Sequence, residues 1–255
     1  MAKIVSLINE KGGVGKTTST NLIAATLKNK GYKVLCIDFD PQGHLSFSFG
    51  ANNRDMPTIY DVIKRSVKAR QAVQKTAVTD IIPANDILKS IESEFTGMGN
   101  QNLLKSVIKH VVLDYDYVLI DSPPELGVIS ANALVASDIV LIPSMPDGYS
   151  LMGVIKVHET VSRIKNAFNP TLTFGGIILV RYYSRENLSR SVSEVLVELT
   201  KTLNMPILES KIRHSNVIND ATTVQQLDVV RAHPHNNAVR DYNNLVEELI
   251  RKGVF

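Results

Sequence analysis

Three short stretches of this 255-residue chain carry side chains whose types and spacing suit phosphate chemistry. The first, Lys11 to Thr18, reads KGGVGKTT. Gly12, Gly13 and Gly15, with Val14 between them, let the backbone approach an anion closely and turn its N–H groups toward it. A helix expected from about Lys16 aims its positive end at the same point. Lys16 would neutralise terminal phosphate oxygens and the Thr17 hydroxyl would bind Mg²⁺, with Thr18 completing the loop. The general pattern G-x-x-x-x-G-K-[ST] puts a glycine five positions before Gly15, where this chain has Glu10. A second lysine, Lys11, stands five residues ahead of Lys16 instead. The cradle thus begins and ends with a lysine.

The second stretch, LCIDFDPQGHLS, ends an apolar run in two carboxylates, Asp38 and Asp40. The side-chain period of a strand is two, so both would share a face if the strand continued through them. Carboxylates there can hold Mg²⁺ through water or orient an attacking water. The third stretch, DYVLIDSPPELG, is another apolar run, closed by Asp121. Its carboxylate would complete a Mg²⁺ shell. Pro123 and Pro124 cannot continue a ladder and stiffen the turn that follows.

These residues need strands that end abreast. Apolar, β-branched runs at 3–8, 33–38, 78–82, 117–121, 138–143 and 173–180 read as strands, several hydrophobic enough for a parallel sheet covered on both faces. Helical period falls at 16–30, 59–75, 101–113, 126–136, 148–167, 186–203 and 236–252. The stretch 186–203 is the clearest, with Leu188, Val192, Val195, Leu196, Leu199 and Leu203 on one stripe that reads as core. Residues 43–57 mix Gly, Asn, Asp and Pro and read as a loop. The expected fold is α/β, a mostly parallel twisted sheet with helices on both faces. No linker interrupts it, so residues 1–255 read as one domain.

Composition narrows the function. The single cysteine, Cys36, rules out an internal disulfide and any CxxC motif, and its apolar surroundings read as core. The chain opens without a signal-peptide pattern and has no apolar run of membrane-spanning length, so a cytoplasmic location is expected. Net charge is +3, and residues 1–150 balance at 15 basic and 15 acidic. The excess falls after residue 150, at 13 against 10, which suits a mildly basic face rather than a dedicated nucleic-acid domain.

In order, Lys11 to Thr18, the DFDPQG segment at 38–43 and the DSPPELG segment at 121–127 resemble the deviant Walker A, A′ and B motifs of the ParA/MinD family of P-loop ATPases. DPQG and the overall spacing look most like the ParA (Soj-like) DNA-partition ATPases, and the similarity extends more weakly through LVRYYSRENLSRSV to the C-terminal helix. The resemblance implies a Mg²⁺-dependent ATPase that forms a homodimer with ATP sandwiched between its subunits. In such a dimer Lys11 would reach the phosphates held by the partner, as an arginine finger does elsewhere. Asp40 would position the hydrolytic water, Asp38 would support the metal site, and Asp121 would hold Mg²⁺ through water. Lys11, Lys16 and Asp40 are then the catalytic set.

The resemblance also implies non-specific, salt-dependent DNA binding by the ATP dimer, nucleoid association, and stimulation of slow hydrolysis by a ParB-like centromere-binding partner. Basic residues in the corresponding region are Lys156, Arg163, Arg181, Arg185, Arg190, Lys211, Arg213 and Arg240. Two features depart from the family pattern: Glu10 stands where Gln is common, and Ile212-Arg213-His214 replaces an Ile-Pro-Arg-like turn, leaving base contacts from 212–220 in question. The chain starts at its phosphate-loop strand, so no N-terminal helix-turn-helix domain and no operator-specific repression are expected. Other readings stay open: a MinD-like membrane-surface ATPase, a ParA-like ATPase that positions a protein cargo, and an ATP-dependent ligase. The C-terminal NNLVEELIRKGVF carries Glu247 and Glu248 beside its apolar stripe, which suits a packed helix better than a membrane anchor. One cysteine per chain excludes an iron–sulfur electron donor resembling the nitrogenase iron protein, which needs two cluster ligands per subunit.

Overall fold

The computed structural model describes residues 2–95, 97, 100–183, 187–218 and 228–255, without the side chains of 149 and 187–193. In the first half, β1 (Lys3–Leu7), α1 (Lys16–Asn29), β2 (Val34–Asp38), α2 (His44–Phe49), α3 (Ile59–Ile63), α4 (Ala69–Ala72), β3 (Gln74–Lys75) and β4 (Asp80–Ile82) follow one another. Next come α5 (Ile91–Glu94), α6 (Leu103–Ile108), β5 (Tyr117–Asp121), α7 (Val128–Ala136), β6 (Ile139–Ser144) and α8 (Gly148–Ala167). The chain ends with β7 (Thr173–Tyr182), α9 (Asn187–Thr202), β8 (Ile207–Arg213), α10 (Val229–Ala232) and α11 (Asn237–Arg251).

The strands form one sheet in the order β3-β4-β2-β5-β1-β6-β7-β8, parallel except for the short β3. Alternation of side chains explains why helices must cover both faces. Val5, Leu7, Cys36, Leu119 and Leu141 pack on one side with Leu22, Leu27, Leu245 and Leu249 of α1 and α11. Leu35, Ile37, Val118 and Ile120 face the other way, onto Ile59, Leu104 and Ile129. Val140, Ile142, Ile177 and Leu179 continue that second face beneath Val157, Val161 and Leu196 of α8 and α9.

The structure corrects several sequence expectations. Residues 43–57 are not loop throughout, because DPQG turns directly into α2. The helix expected over 59–75 breaks after Ile63: Arg65 adopts φ 59°, and the Ser66 N–H and hydroxyl both donate to the Asp61 carbonyl, ending the helix there. Its far end becomes β3. The helix expected over 101–113 is confined to Leu103–Ile108 and a separate single turn at Val112–Asp114. The strand expected at 78–82 narrows to Asp80–Ile82.

An eighth strand, β8, was absent from the sequence expectation. It reads ILESKIR, and only Leu208 and Ile212 are buried. Its outer edge would leave N–H groups open to a foreign strand. Carboxylates from α11 take them instead: Glu248 accepts from the Glu209 and Ser210 N–H groups at 2.8 Å each, and Asp241 accepts from the Arg213 N–H at 3.0 Å. Burial opposes the charge on Glu248, yet Lys252 and the two N–H groups hold its carboxyl down at about 2, against an ordinary 4.5.

Glu248→Gln supplies one acceptor where two N–H groups need it, and should destabilise the protein by about 1–3 kcal/mol at neutral pH. A depressed folded-state pKa stabilises above the unfolded value and loses that contribution as pH falls through the folded one. The gap between parent and variant, read from urea unfolding, should therefore narrow as pH falls from 4.5 toward 2. A gap independent of pH would show that Glu248 acts by packing alone.

Candidate nucleotide-binding site

Register brings the three candidate stretches together. Leu7 at the end of β1 pairs with Asp121 at the end of β5, and Asp121 pairs with Asp38 at the end of β2. The phosphate loop, the acid pair and the lone acid thus leave one edge of the sheet side by side, where ligands bind in such folds.

The loop from 8 to 15 runs from β1 into α1. Gly13 and Gly15 have φ 71° and 86°, which residues with a Cβ rarely adopt, and nothing lies within 4 Å of where a Cβ of Gly12 or Gly13 would project. Gly15 caps α1 without a side chain, so the helix N-terminus keeps donors for an anion. Lys16 is buried, and its ammonium donates to the carbonyls of Asn9 at 3.0 Å and Lys11 at 3.4 Å, bracing the loop on itself. Burial lowers the Lys16 pKa, while Asp121, Asp40 and Glu125 work the other way.

Asp121 lies in the sheet interior with no exposure. Thr20 donates to its Oδ1 at 3.3 Å, but Oδ2 meets no hydrogen-bond donor among the described residues. Burial, then the neighbouring Asp38 and Asp40 carboxylates, push it up to about 8, with Thr17 and Lys16 opposing. An orphaned carboxylate oxygen beside a threonine hydroxyl is the hard-oxygen setting that suits Mg²⁺. Among the described residues no group of three His, Cys, Asp or Glu could hold a metal. Mg²⁺ in phosphate sites needs none, since phosphate oxygens and water fill most of its shell.

The acid pair divides its work. Asp38 is fully buried, and its Oδ2 accepts from the Ser46 N–H at 2.8 Å and hydroxyl at 2.6 Å, while its Oδ1 takes the Asp40 N–H. Burial raises it to about 6 against those hydrogen bonds. It fixes α2 and the acid loop. The strand stops before Asp40, so the shared strand face expected for the two acids does not form. Asp40 instead begins the turn Asp40-Pro41-Gln42-Gly43, closed by the Gly43 N–H on the Asp40 carbonyl and by the Gln42 N–H on Asp40 Oδ1.

Lys11 does not join Lys16 in the cradle. Its ammonium lies 2.7 Å from Asp147, the N-cap of α8, whose other oxygen takes the Ser150 N–H and hydroxyl. Burial opposes the Asp147 charge, but Lys11 and Ser150 hold its carboxyl below the usual range. Glu10, the departure from the family pattern, pairs with Lys156 of α8 at 3.1 Å.

Sequence reasoning missed four supporting residues. Asn9 accepts from the Lys11 N–H and donates to the Pro143 carbonyl at 2.7 Å, tying the loop to β6; a polar residue closing an apolar run was its only signal. Ser46 gave no signal beyond composition, and Asp147 only that of an N-cap ahead of the helix expected from 148. Glu92 of α5 caps α7 by accepting from Val128 and Ile129 at 2.9 and 3.0 Å, which holds the loop after Asp121. A Cβ at Gly127 would come within 2.6 Å of that carboxylate, so a larger residue there would push the Glu92 cap aside.

Beside Gly15 and Thr18 a narrow pocket is lined by Arg181, Ile212, His214 and Tyr242. Residues 212–215 and 218 therefore border the phosphate loop, and Tyr183 stacks on His214 with ring centroids 5.3 Å apart. Residues 219–227, including the end of the segment questioned for base contacts, lie outside the described residues.

The basic candidates separate. Leu179 pairs with Lys211 and Tyr182 with Arg213, which gathers Arg181, Lys211 and Arg213 at the ends of β7 and β8, next to exposed Arg240 on α11. Arg213 is held in a two-point contact by Asp241, at 2.6 and 2.8 Å, and Lys211 lies over the Tyr182 ring. Lys156 and Arg163 sit apart on α8, where Arg163 donates to Thr160. Arg185 and the side chain of Arg190 lie outside the described residues.

The AAA_31 family model, an AAA domain, matches residues 2–174. The chromosome-partitioning ATPase Soj of Treponema pallidum is 31% identical over 256 residues, covering 99% of this chain and 98% of its own. The cobyrinic acid a,c-diamide synthase of Mycobacterium smegmatis, solved with bound ADP and magnesium, superposes with TM-score 0.85 at 29% identity, covering 98% of this chain and 95% of that one. A putative plasmid partition protein of Borrelia burgdorferi B31 bound to AMPPNP gives TM-score 0.82 at 26% identity, covering 99% and 100%.

Asp121→Asn tests the orphaned carboxylate. Because its folded pKa of about 8 exceeds the ordinary 3.8, the burial cost is absent below 3.8, builds as pH rises between the two values and is complete above 8. Calorimetry of the ligand-free protein should show the variant melting above the parent at pH near 8.5 and the gap closing toward pH 5. Mg²⁺-dependent nucleotide affinity should fall about tenfold or more. A melting difference constant with pH would place the buried charge elsewhere.

Proposed function

The chain belongs to the ParA/MinD family of P-loop ATPases, on its ParA/Soj side, and from that premise we propose that it is an ATP-driven partition switch. In this reading two copies close over two ATP molecules, the closed dimer binds DNA without sequence preference, and hydrolysis releases it. The observation that carries it is the separation of the two lysines. Lys16 turns into its own cradle, while the Lys11 ammonium sits outside it on Asp147.

Lys11 is thus available to a second subunit. Its pair with Asp147 is about one-third exposed on both sides, and such pairs are worth roughly 0–1 kcal/mol. A partner's triphosphate offers several charge-assisted contacts, each stronger than a neutral hydrogen bond, and would win the exchange. Within the dimer the Lys11 ammonium would meet the charge that develops on the transferred phosphoryl group. Thr17, and Asp121 through water, would hold Mg²⁺, which when bound neutralises phosphate oxygens. Asp40, fixed by its turn and by Asp38, would orient the attacking water, and Gly13, Gly15 and the α1 N-terminus would cradle the phosphates.

For DNA, the group Arg181, Lys211 and Arg240 is the favoured surface, since Arg213 is already neutralised by Asp241 and Lys156 by Glu10. A protein that marks the cargo would stimulate hydrolysis and clear the dimer locally. Among the described residues no helix is long and apolar enough to cross a membrane. The C-terminal stripe is committed to the core, with Leu245, Val246 and Leu249 fully buried, so a MinD-like surface anchor there is disfavoured.

The activity of the mycobacterial neighbour suggests a ligase reading. Nothing at Cys36 supports it: the residue lies fully buried in β2, and burial with Asp121, Asp38 and Asp80 pushes its thiol well up.

The test is size-exclusion chromatography with light scattering under ATP and Mg²⁺, paired with phosphate release. Lys16→Ala should lose nucleotide binding. Lys11→Ala should keep it while losing the ATP dimer and on the order of 100-fold or more in hydrolysis. Asp40→Ala should accumulate a long-lived ATP dimer that retains DNA. An intact dimer in Lys11→Ala, or rapid turnover in Asp40→Ala, would defeat those assignments.

A further inference from the structure

At the opposite end of the sheet from the phosphate loop lies a cavity of about 830 Å³ between the α3–α4 turn and the end of α6. Its position follows from the chain path: Lys109, His110 and Val111 precede the start of β5 at Tyr117, whereas Asp121 ends that strand in the nucleotide site. The floor is apolar: the partly buried Val67 and Val107 present its accessible surface, and Val62 and Val111 back them from the core. The rim carries Arg65, Lys68, Arg70, Lys109 and His110, all exposed. Among the described residues none that lines the cavity is acidic. The nearest carboxylate partner is Asp114, which grips Arg70 at 2.8 and 2.9 Å and orients its guanidinium. Among the described residues Arg65, Lys68 and Lys109 form no ion pair.

Arg65 adds a second observation. Its φ of 59° is a conformation that glycine or asparagine adopts with least strain, yet the chain places a guanidinium there. It follows the C-cap of α3, so the way this helix ends sets the direction in which the chain leaves it at the cavity rim.

We infer that this cavity docks an acidic peptide segment of a partner protein, one or two of its apolar side chains on the valine floor and its carboxylates on the rim. Charge complementarity selects the sign of the partner, and concavity selects its kind. A duplex presents a convex ladder of phosphates, which suits cations that project from a surface; it has no group to fill an apolar floor. A peptide has both, and guanidinium forks suit carboxylates. The site is remote from the loop that binds phosphate, so a segment could remain docked whether or not nucleotide is bound.

The experiment uses the full chain and fluorescence anisotropy with a labelled peptide of about twelve residues, leucines set among glutamates, beside the same peptide with glutamines. The glutamate peptide should bind and the glutamine peptide should not. Lys68→Glu and Lys109→Glu should each weaken binding about tenfold. Arg65→Gly, which relieves the backbone and removes the charge, should weaken binding without lowering the melting temperature. Lys16→Ala should bind the peptide like the parent, so failure of the nucleotide reading would leave this result untouched. Absence of binding, equal binding by the rim variants, or displacement of the peptide by a short DNA duplex would overturn the proposal.

Discussion

The site depends on one constraint, the parallel register of β2, β5 and β1. Backbone hydrogen bonding fixes Asp38 opposite Asp121 and Asp121 opposite Leu7, so three loops distant in sequence leave the sheet within one another's reach. A slip of one residue would turn every side chain of a strand to the other face, moving Leu7 or Ile120 out of its core as well as misplacing the acid. The hydrophobic packing that stabilises the register is therefore the same packing that aligns the acids.

That alignment concentrates unfavourable charge. Asp38 and Asp121 are wholly buried, Lys16 nearly so, and burial is the first cause of each of their shifted pKa values. Asp38 is relieved by Ser46 and by the backbone of its own loop, and it becomes a structural post. Asp121 is not relieved on its second oxygen. The loop lysine, meanwhile, has only carbonyls for partners where a triphosphate would offer oxyanions. A ligand carrying phosphate and a divalent cation would satisfy both at once, and the ligand-free protein bears the cost until it arrives.

Around this centre the helices supply fine positioning over long distances in sequence. Glu92 sets the loop after Asp121 from the start of α7, Asn9 anchors the phosphate loop to β6, and Asp147 ties Lys11 to α8. At the edge, α11 protects β8 with Glu248 and Asp241, and in doing so removes Arg213 from the pool of free cations. The opposite end of the sheet carries the basic cavity, separated from the nucleotide chemistry by the length of the strands.

The sequence by itself determined the glycine turn ahead of α1, the acids Asp38 and Asp121 that close two apolar strands, and the α/β alternation, because each is written in contiguous residues with strong local physics. Glycines at left-handed positions, an apolar run ended by an acid and a helical stripe such as Leu196 with Leu199 need no distant partner to be legible. Only the tertiary structure decided where Lys11 rests, that Asp38 braces α2, and that Lys156 and Arg213 are already paired. Long polar side chains choose partners through space, and Asn9–Pro143 or Glu92–Val128 leave no periodic trace. For the same reason β8 escaped notice: half its residues face outward, and its N–H groups find their acceptors on a helix 28 to 39 residues away. The helix expected over 59–75 failed differently, since its sequence period continues past Ile63 while hydrogen bonds to Asp61 end it, leaving Arg65 at the rim of a cavity that no local pattern announces.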